Sequence, residues 1–395
     1  MACSRARLMS EVAPSALELP AKADFAPFPV TYLDSAALHP FSLGARRAIA
    51  EYLRSRGLEA GVSQFGLDAT GERVRAKFAA LINAKPQEIS LIQSTTAGEN
   101  LILQALGIPA VGGRIVTDIL HYPGSLYIYH SMARLGMDVV WLRPGKEGGI
   151  DLADVDVAIT TDTRLVALSL VSTVNGFQHD LKKVCEIAHF RGACVYADIV
   201  QAAGAVHIDV RDSGVDFAAC ASYKWLMGDF GLGFLYTRED LLDRIRHTQF
   251  GSYQVTHLRT HVFPFDPPGS DVADFEVRRD ATGHFATGTT SGTGAVHLDY
   301  SLDYIRRLGV QNIQRCRQPL LDAARVELER RGYRCMTPPA STTSILAFAC
   351  SDARTLGARM EAAKVKITLI DNRFRIAPSV FNDMNDIDRL LEALP

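Results

Sequence analysis

The chain has 395 residues, 47% of them hydrophobic and 22% charged, with a formal net charge of −2. That length accommodates one large domain and a smaller one, and the interspersed charges, with no basic face, argue against a nucleic-acid partner. Seven scattered cysteines without a Cys-x-x-Cys pair fit a reducing cytoplasm rather than a disulfide framework or a metal site. No apolar run approaches the roughly 20 residues of a bilayer span, so no membrane partner is expected, and residues 1–29 carry no signal-peptide pattern.

Residues 1–29, rich in Ala, Pro and Ser, read as an N-terminal arm. A short strand over 30–33 precedes Asp34-Ser-Ala-Ala. Helices are expected over 42–56 and 69–83, the second burying Val74, Phe78, Leu81 and Ile82 at helical spacing. From residue 86 the pattern becomes strand, turn, helix, repeated. A strand over 88–93 runs into Ser94-Thr95-Thr96-Ala97-Gly98 and a helix over 99–106. The next strand, 114–119, ends in Leu120-His121-Tyr122-Pro123-Gly124 before a helix over 124–135. A strand follows at 138–142, then a polar, loop-rich stretch over 143–164. The continuous apolar run 165–171, of the kind a buried parallel strand requires, ends in Ser172-Thr173-Val174-Asn175-Gly176. A helix over 180–191 leads to a strand that stops at Asp198, with Gln201 three positions on. Beyond the strands at 215–221 and 232–237 come a charged helix over 238–247, an irregular region over 248–285, two helices within 293–331, and strands at 344–349 and 366–369.

The strand 215–221 runs into Ser222-Tyr223-Lys224-Trp225, with glycines at 228, 231 and 233 before the next strand. An ammonium between two buried strands is disfavoured unless it is paired or used, because burial penalises its charged form. Such a lysine can form a Schiff base with an aldehyde, and the commonest biological aldehyde of this kind is pyridoxal 5'-phosphate, PLP. Asp198, 26 residues upstream, supplies the second half of that chemistry. A pyridine ring is an electron sink only while its nitrogen stays protonated, and a buried carboxylate keeps it so. Gln201 can donate to the ring oxygen. Taken singly, Lys224 reads as a snorkelling side chain and Asp198 as a helix cap; together they read as a cofactor site. The turn at Thr95 and Thr96 offers unpaired amides and hydroxyls to a phosphate, although an ordinary Ser/Thr cap has the same look. These candidates lie at strand exits, where open α/β sheets place their sites.

Asp198-x-x-Gln201 followed by Ser-Tyr-Lys224-Trp and the glycine-rich turn resembles the class V aminotransferase family, over roughly residues 30 to 390. The family includes cysteine desulfurases, selenocysteine lyases, isopenicillin N epimerase and kynureninase. The resemblance implies an α/β protein of the type I fold of PLP-dependent transferases. Its mostly parallel central sheet would be flanked by helices, with a large PLP-binding domain at 30–265 and a smaller α+β C-terminal domain at 266–395. It implies a homodimer acting on an amino acid in the cytoplasm, with no metal. Lys224 and Asp198 become catalytic residues. Thr95, Thr96, Ser222 and Tyr223 become phosphate contacts, and Thr289, in the Gly288-Thr289 segment, closes the phosphate cup of the neighbouring subunit. Tyr122, or His121 one residue earlier, would stack on the ring; the Pro123-Gly124-Ser125 that follows favours Tyr122. Asn175 would contact the cofactor's phenolic oxygen or the substrate, although Asn-Gly is also a common turn signal. Arg375, followed by Pro378 and Asn382, would grip the substrate carboxylate.

Desulfurases of this family have His before the lysine and a mobile cysteine before the arginine. Here Tyr223 and a cysteine-free stretch over 355–372 stand in those places. The expected outcome is therefore a C–S lyase type of β-elimination without a persulfide cysteine. Transamination and epimerisation are the alternatives.

Overall fold

The computed structural model describes residues 19–58 and 64–394, so the expected N-terminal arm falls largely outside the described residues. In chain order the large part begins with β1 (Thr31–Tyr32), α1 (Leu43–Leu58) and α2 (Gln64–Leu81). The alternation follows: β2 (Ile89–Ile92), α3 (Thr95–Ala105), β3 (Arg114–Asp118), α4 (Pro123–Arg134), β4 (Asp138–Leu142), α5 (Leu152–Ala158), β5 (Thr163–Ser169), α6 (Leu181–Phe190), β6 (Cys194–Asp198), α7 (Val210–Ser213), β7 (Phe217–Ala221) and β8 (Gly233–Thr237). The rest comprises β9 (Val255–Thr260), β10 (Ala273–Val277), α8 (Ala281–Phe285), α9 (Gly292–Leu308), α10 (Val310–Arg330), β11 (Leu346–Ala349), α11 (Ala353–Ala362), β12 (Val365–Lys366), β13 (Thr368–Ile370), β14 (Arg373–Ile376) and α12 (Met384–Ala393).

Seven strands form one sheet in the order β2-β8-β7-β6-β5-β3-β4. Every neighbouring pair is parallel except those of β8, which runs antiparallel to both β2 and β7. Helices cover both faces, so the central strands β6 and β7 are buried almost throughout. The exits of β3, β5, β6 and β7 therefore share one edge of the sheet, which is where the chemistry-bearing residues were expected.

Small side chains make this packing close. All five residues of β7, Phe-Ala-Ala-Cys-Ala, are buried. A methyl group on Gly98 of α3 would fall 2.9 Å from the Ala219 Cβ of β7. On the other face Phe78 of α2 stacks on Phe234 of β8, with ring centroids 3.9 Å apart and planes within 4°.

A second, three-stranded antiparallel sheet has the order β11-β14-β13. Together with α10, α11 and α12 it encloses a separate apolar cluster that includes Leu33, Leu320, Phe348, Phe374 and Ile387. Helix α9 packs on α1 and α2 and shares the core of the large part. Conversely β1, near the start of the chain, pairs in parallel with β12.

Three further expectations are corrected. The stretch 143–164 contains α5, a helix with only two buried side chains, Val155 and Ala158, and so without an apolar period to read. The charged helix expected over 238–247 is a single 3-10 turn, Glu239–Leu241, where Arg238 is drawn aside to Asp240 and to the buried Asp216. The irregular region over 248–285 holds the β9–β10 hairpin and α8.

Truncating Phe234 to alanine removes a fully buried ring from the interface of sheet and helix. The expected loss is about 3–5 kcal/mol of stability, measured by chemical denaturation.

Candidate active site

Lys224 follows β7 in a tight turn. Gly228 and Gly233 are there for close approach: a Cβ on Gly228 would meet Ser222 at 2.7 Å, and one on Gly233 would meet the Cys220 carbonyl at 2.4 Å. The left-handed turns themselves are made at Met227 (φ 54°) and Gly231 (φ 81°), so one of the two positions is not a glycine. The turn holds Lys224 at 6% exposure. Its ammonium makes no hydrogen bond or ion pair among the described residues, and the Tyr223 ring centroid lies 5.5 Å from Nζ. Burial pushes its pKa down to about 8, against the pull of the Asp198 charge.

Asp198 ends the neighbouring strand β6. Its carboxylate accepts from the Val200 amide at 2.9 Å and from the Ser169 hydroxyl. Burial pushes its pKa up to about 6, with Lys224 opposing. An amine that resists protonation and an acid that resists ionisation face each other across the exits of two adjacent strands.

Gln201 is buried behind the pair. Its amide nitrogen donates to the Ala36 carbonyl at 3.0 Å and reaches Thr173 Oγ1 at 3.3 Å, while its oxygen accepts from Trp225 Nε1 at 2.8 Å. Thr95 and Thr96 open α3 under the Ser94 cap, and Thr95 Oγ1 accepts from the Ala221 amide at 2.9 Å, which fastens that turn to the lysine strand. Helix geometry leaves the Thr95 and Thr96 amides as the first unpaired donors. The Ser222 hydroxyl donates to the Asp229 carbonyl at 2.6 Å and so holds the turn rather than pointing a proton outward. Tyr223 stacks on Phe230 with centroids 4.5 Å apart.

His121 and Tyr122 separate cleanly. Tyr122 is 41% exposed and neighbours Tyr223, whose phenol pKa is raised by burial first and by Tyr122 second, so it borders the open side of the site. His121 is fully buried, with Nδ1 accepting from the Tyr122 amide at 2.8 Å.

Arg375, on β14, is 9% exposed. Its Nη1 donates to the Thr173 carbonyl at 2.6 Å and to the Thr173 hydroxyl, and its Nε donates to Thr368 Oγ1 at 3.1 Å. Thr368 in turn bonds Asp34, whose charge counters the loss of Arg375 basicity caused by burial. Asp34 also feels Lys224, so the early Asp34-Ser-Ala-Ala segment belongs to the site.

Two candidates lie elsewhere. Asn175 is committed to its own turn, where Oδ1 accepts from the Phe177 amide at 3.1 Å, and to two distant carbonyls, Nδ2 donating to Gly148 O at 2.7 Å and Met336 O at 3.2 Å. The turn signal in Asn175-Gly176 is the part of the pattern this geometry uses. Thr173, two residues earlier, meets both Gln201 and Arg375 instead; nothing distinguished it within a run of polar residues. Thr289 is exposed and lines an outer recess with Ala97 and Asn100, a recess that Lys224 does not line.

The family profile described as Aminotransferase class-V matches residues 31–367. The chain belongs to the class V aminotransferase family. A cysteine desulfurase of Pectobacterium atrosepticum is 29% identical over 333 residues, covering 81% of this chain and 77% of the relative. Among solved structures, the cysteine desulfurase CsdA of Escherichia coli superposes with a TM-score of 0.80 at 24% identity, covering 95% of this chain and 98% of its own. The C-DES protein, described as a cystine C–S lyase, superposes at 0.78 in complex with its reaction product cysteine persulfide, at 20% identity over 92% of this chain and 97% of its own. A C-DES variant with glycine covalently linked to its PLP cofactor superposes at 0.81, also at 20% identity, over 92% of this chain and 96% of its own. At those identities the superpositions show the fold alone, which is the type I fold of PLP enzymes. This class V aminotransferase family member is a PLP-dependent enzyme. The unbonded Lys224 amine, the perturbed Asp198 and the open amides of Thr95 and Thr96 fit that cofactor.

Lys224 gives the cofactor-free protein a defined pH dependence. Its folded pKa lies below its unfolded value, so from about pH 8 to 10.5 the unfolded chain holds more protons and stability rises with pH. Lys224→Met removes the buried charge. The variant is expected to be more stable than the parent at pH 7, by up to about 3 kcal/mol, with the advantage fading by pH 10. Thermal melts of the cofactor-free proteins check this.

Proposed function

We propose that this enzyme is a C–S lyase that eliminates a sulfur substituent from the β-carbon of a free amino acid, releasing the sulfur product directly to solution. One observation carries the reading. The strands β13 and β14 pair as a hairpin joined by the two residues Asp371 and Asn372. A desulfurase of this family needs a mobile cysteine-bearing loop just before its arginine, and a two-residue connection has neither the length nor the thiol. In this reading neither Cys220 nor Cys350 substitutes for it. Cys220 is fully buried, and burial holds its thiol far above the ordinary range. Cys350 lines a separate recess with Arg331, Tyr333 and Arg359.

When bound, PLP withdraws the electron pair left at the substrate Cα. Thr95 and Thr96 would hold its phosphate, Asp198 would keep its ring nitrogen protonated, and Tyr122 would pack against it. Gln201 can exchange its long contact with Thr173 for the ring oxygen. The Arg375 guanidinium, braced by Thr173 and Thr368, takes the substrate carboxylate and so fixes which Cα bond stands over the ring. With its pKa pulled toward neutrality, the Lys224 amine takes the Cα proton at Nζ and can pass it to the departing sulfur. Transamination shares the first proton transfer and is the alternative.

The working unit in this reading is a homodimer. The β9–β10 hairpin and its connection expose Leu258, Phe263, Phe265, Val272 and Phe275, an apolar surface suited to a second copy. The same association would bring Thr289 to the partner's phosphate turn. A large domain near 30–265 and a small one near 266–395, in the cytoplasm, remain the proposed organisation. Among the described residues no helix is long and apolar enough to cross a membrane.

With cystine as substrate, the expected products are pyruvate, ammonia and cysteine persulfide in equal amounts. Sulfane sulfur bound to the protein instead, or keto acid without ammonia, overturns the reading. Lys224→Ala should abolish turnover and leave no chromophore that borohydride can fix to the chain. Arg375→Lys should raise KM by roughly 10- to 100-fold with a smaller effect on kcat, because a point charge replaces a two-point fork.

A further inference from the structure

Behind Asp198 lies a second buried acid. Glu99, on α3, is 1% exposed. Its Oε2 accepts from the Ser125 hydroxyl and its Oε1 from the Tyr129 hydroxyl, both at 2.6 Å and both from α4. His121 Nδ1 accepts from a backbone amide, so its ring proton sits on Nε2. That Nε2 has no hydrogen-bond partner among the described residues and lies 3.5 Å from Glu99 Oε1. On its other side, His121 Nδ1 is 3.0 Å from the Ser169 hydroxyl, which bonds Asp198. A line of neighbouring buried polar groups therefore runs from Glu99 past His121 and Ser169 to the carboxylate that faces the cofactor ring, with the single Ser169 proton shared between Asp198 and the His121 Nδ1 acceptor.

From the side of β6, Glu99 faces Tyr196, whose hydroxyl has no partner among the described residues, and Asp198, whose charge repels it. His121 is flanked by Asp118 and His179, themselves paired at 3.1 Å. Beyond Asp198 stand Lys224 and the Cys220 thiol. Burial pushes Glu99 up to about 7 and His121 down to about 4, so near neutral pH the imidazole is neutral and the carboxyl is the group that changes charge.

We infer that Glu99 is a positioning residue that adds a second negative charge behind Asp198, steadied by the His121 Nε2 proton, and that this charge secures the proton on the cofactor's ring nitrogen. Loading the site places a cation against Asp198, which favours the ionised form of Glu99. The Glu99 proton leaves to solvent, and the resulting carboxylate draws the His121 Nε2–H into a hydrogen bond. The inference rests on the proposed role of Asp198 and adds to it a second acid that the mechanism does not otherwise use.

The test loads the full-length protein with PLP labelled with nitrogen-15 in the ring and follows the ring-nitrogen shift from pH 6 to 11. In Glu99→Gln the midpoint for loss of the ring proton should fall by about one pH unit relative to the parent, and Glu99→Asp should recover part of the shift. Tyr129→Phe keeps the carboxylate and loses one of its donors. It should lower the midpoint by less than Glu99→Gln, and it serves as the readout should the glutamine variant not fold. Equal midpoints in the parent and the carboxylate variants overturn the role of Glu99. Asp198→Asn is the separate control: a ring nitrogen unaffected by that change overturns the role of Asp198 rather than that of Glu99.

Discussion

The structure depends on keeping two opposite charges out of water at the exits of adjacent strands. Neither Lys224 nor Asp198 is solvated, and both are displaced toward their neutral forms. Desolvating an ion costs several kcal/mol, and attraction across the site recovers only part of it. The surrounding order makes the arrangement tenable. The all-buried strand β7 delivers the lysine, β6 delivers the acid, and Thr95 bolts the phosphate turn to the lysine strand. In the proposed site a bound cofactor would relieve both strains, since it would use the amine and supply a cation to the acid.

Much of this was legible in the sequence because it is local. The strand-turn-helix rhythm from residue 86 is a matter of apolar period, and the seven-stranded sheet follows it closely. Lys224 and Asp198 stood out as polar residues closing apolar runs, Thr95 as part of a strand-to-helix turn, and Arg375 through the resemblance to the family. His121 against Tyr122 was a choice between adjacent residues, and only the fold shows that one ring is sealed in the core while the other borders the opening.

What the sequence concealed is long-range. Thr173 matters through Gln201 and Arg375, 28 and 202 positions away. Glu99 sits within a helix among good helix formers, and its burial beneath α4 has no local signal. Asn175 shows the opposite failure: its turn signal and its family role coincide on one residue, and only its partners, Gly148 and Met336, separate them. Helix α5 was missed because tertiary packing, rather than amphipathic pattern, holds it.

The bond from Thr368 to Asp34 spans 334 positions, and the same Thr368 braces Arg375. The strand pairing of Thr31 with Val365 ties the same two regions together. While the protein is being synthesised, the lysine strand and the Thr95 turn can assemble early, but the proposed grip on a carboxylate has to wait until residues 368–375 have emerged from the ribosome. A nascent chain would therefore be able to acquire its cofactor before it can hold its substrate.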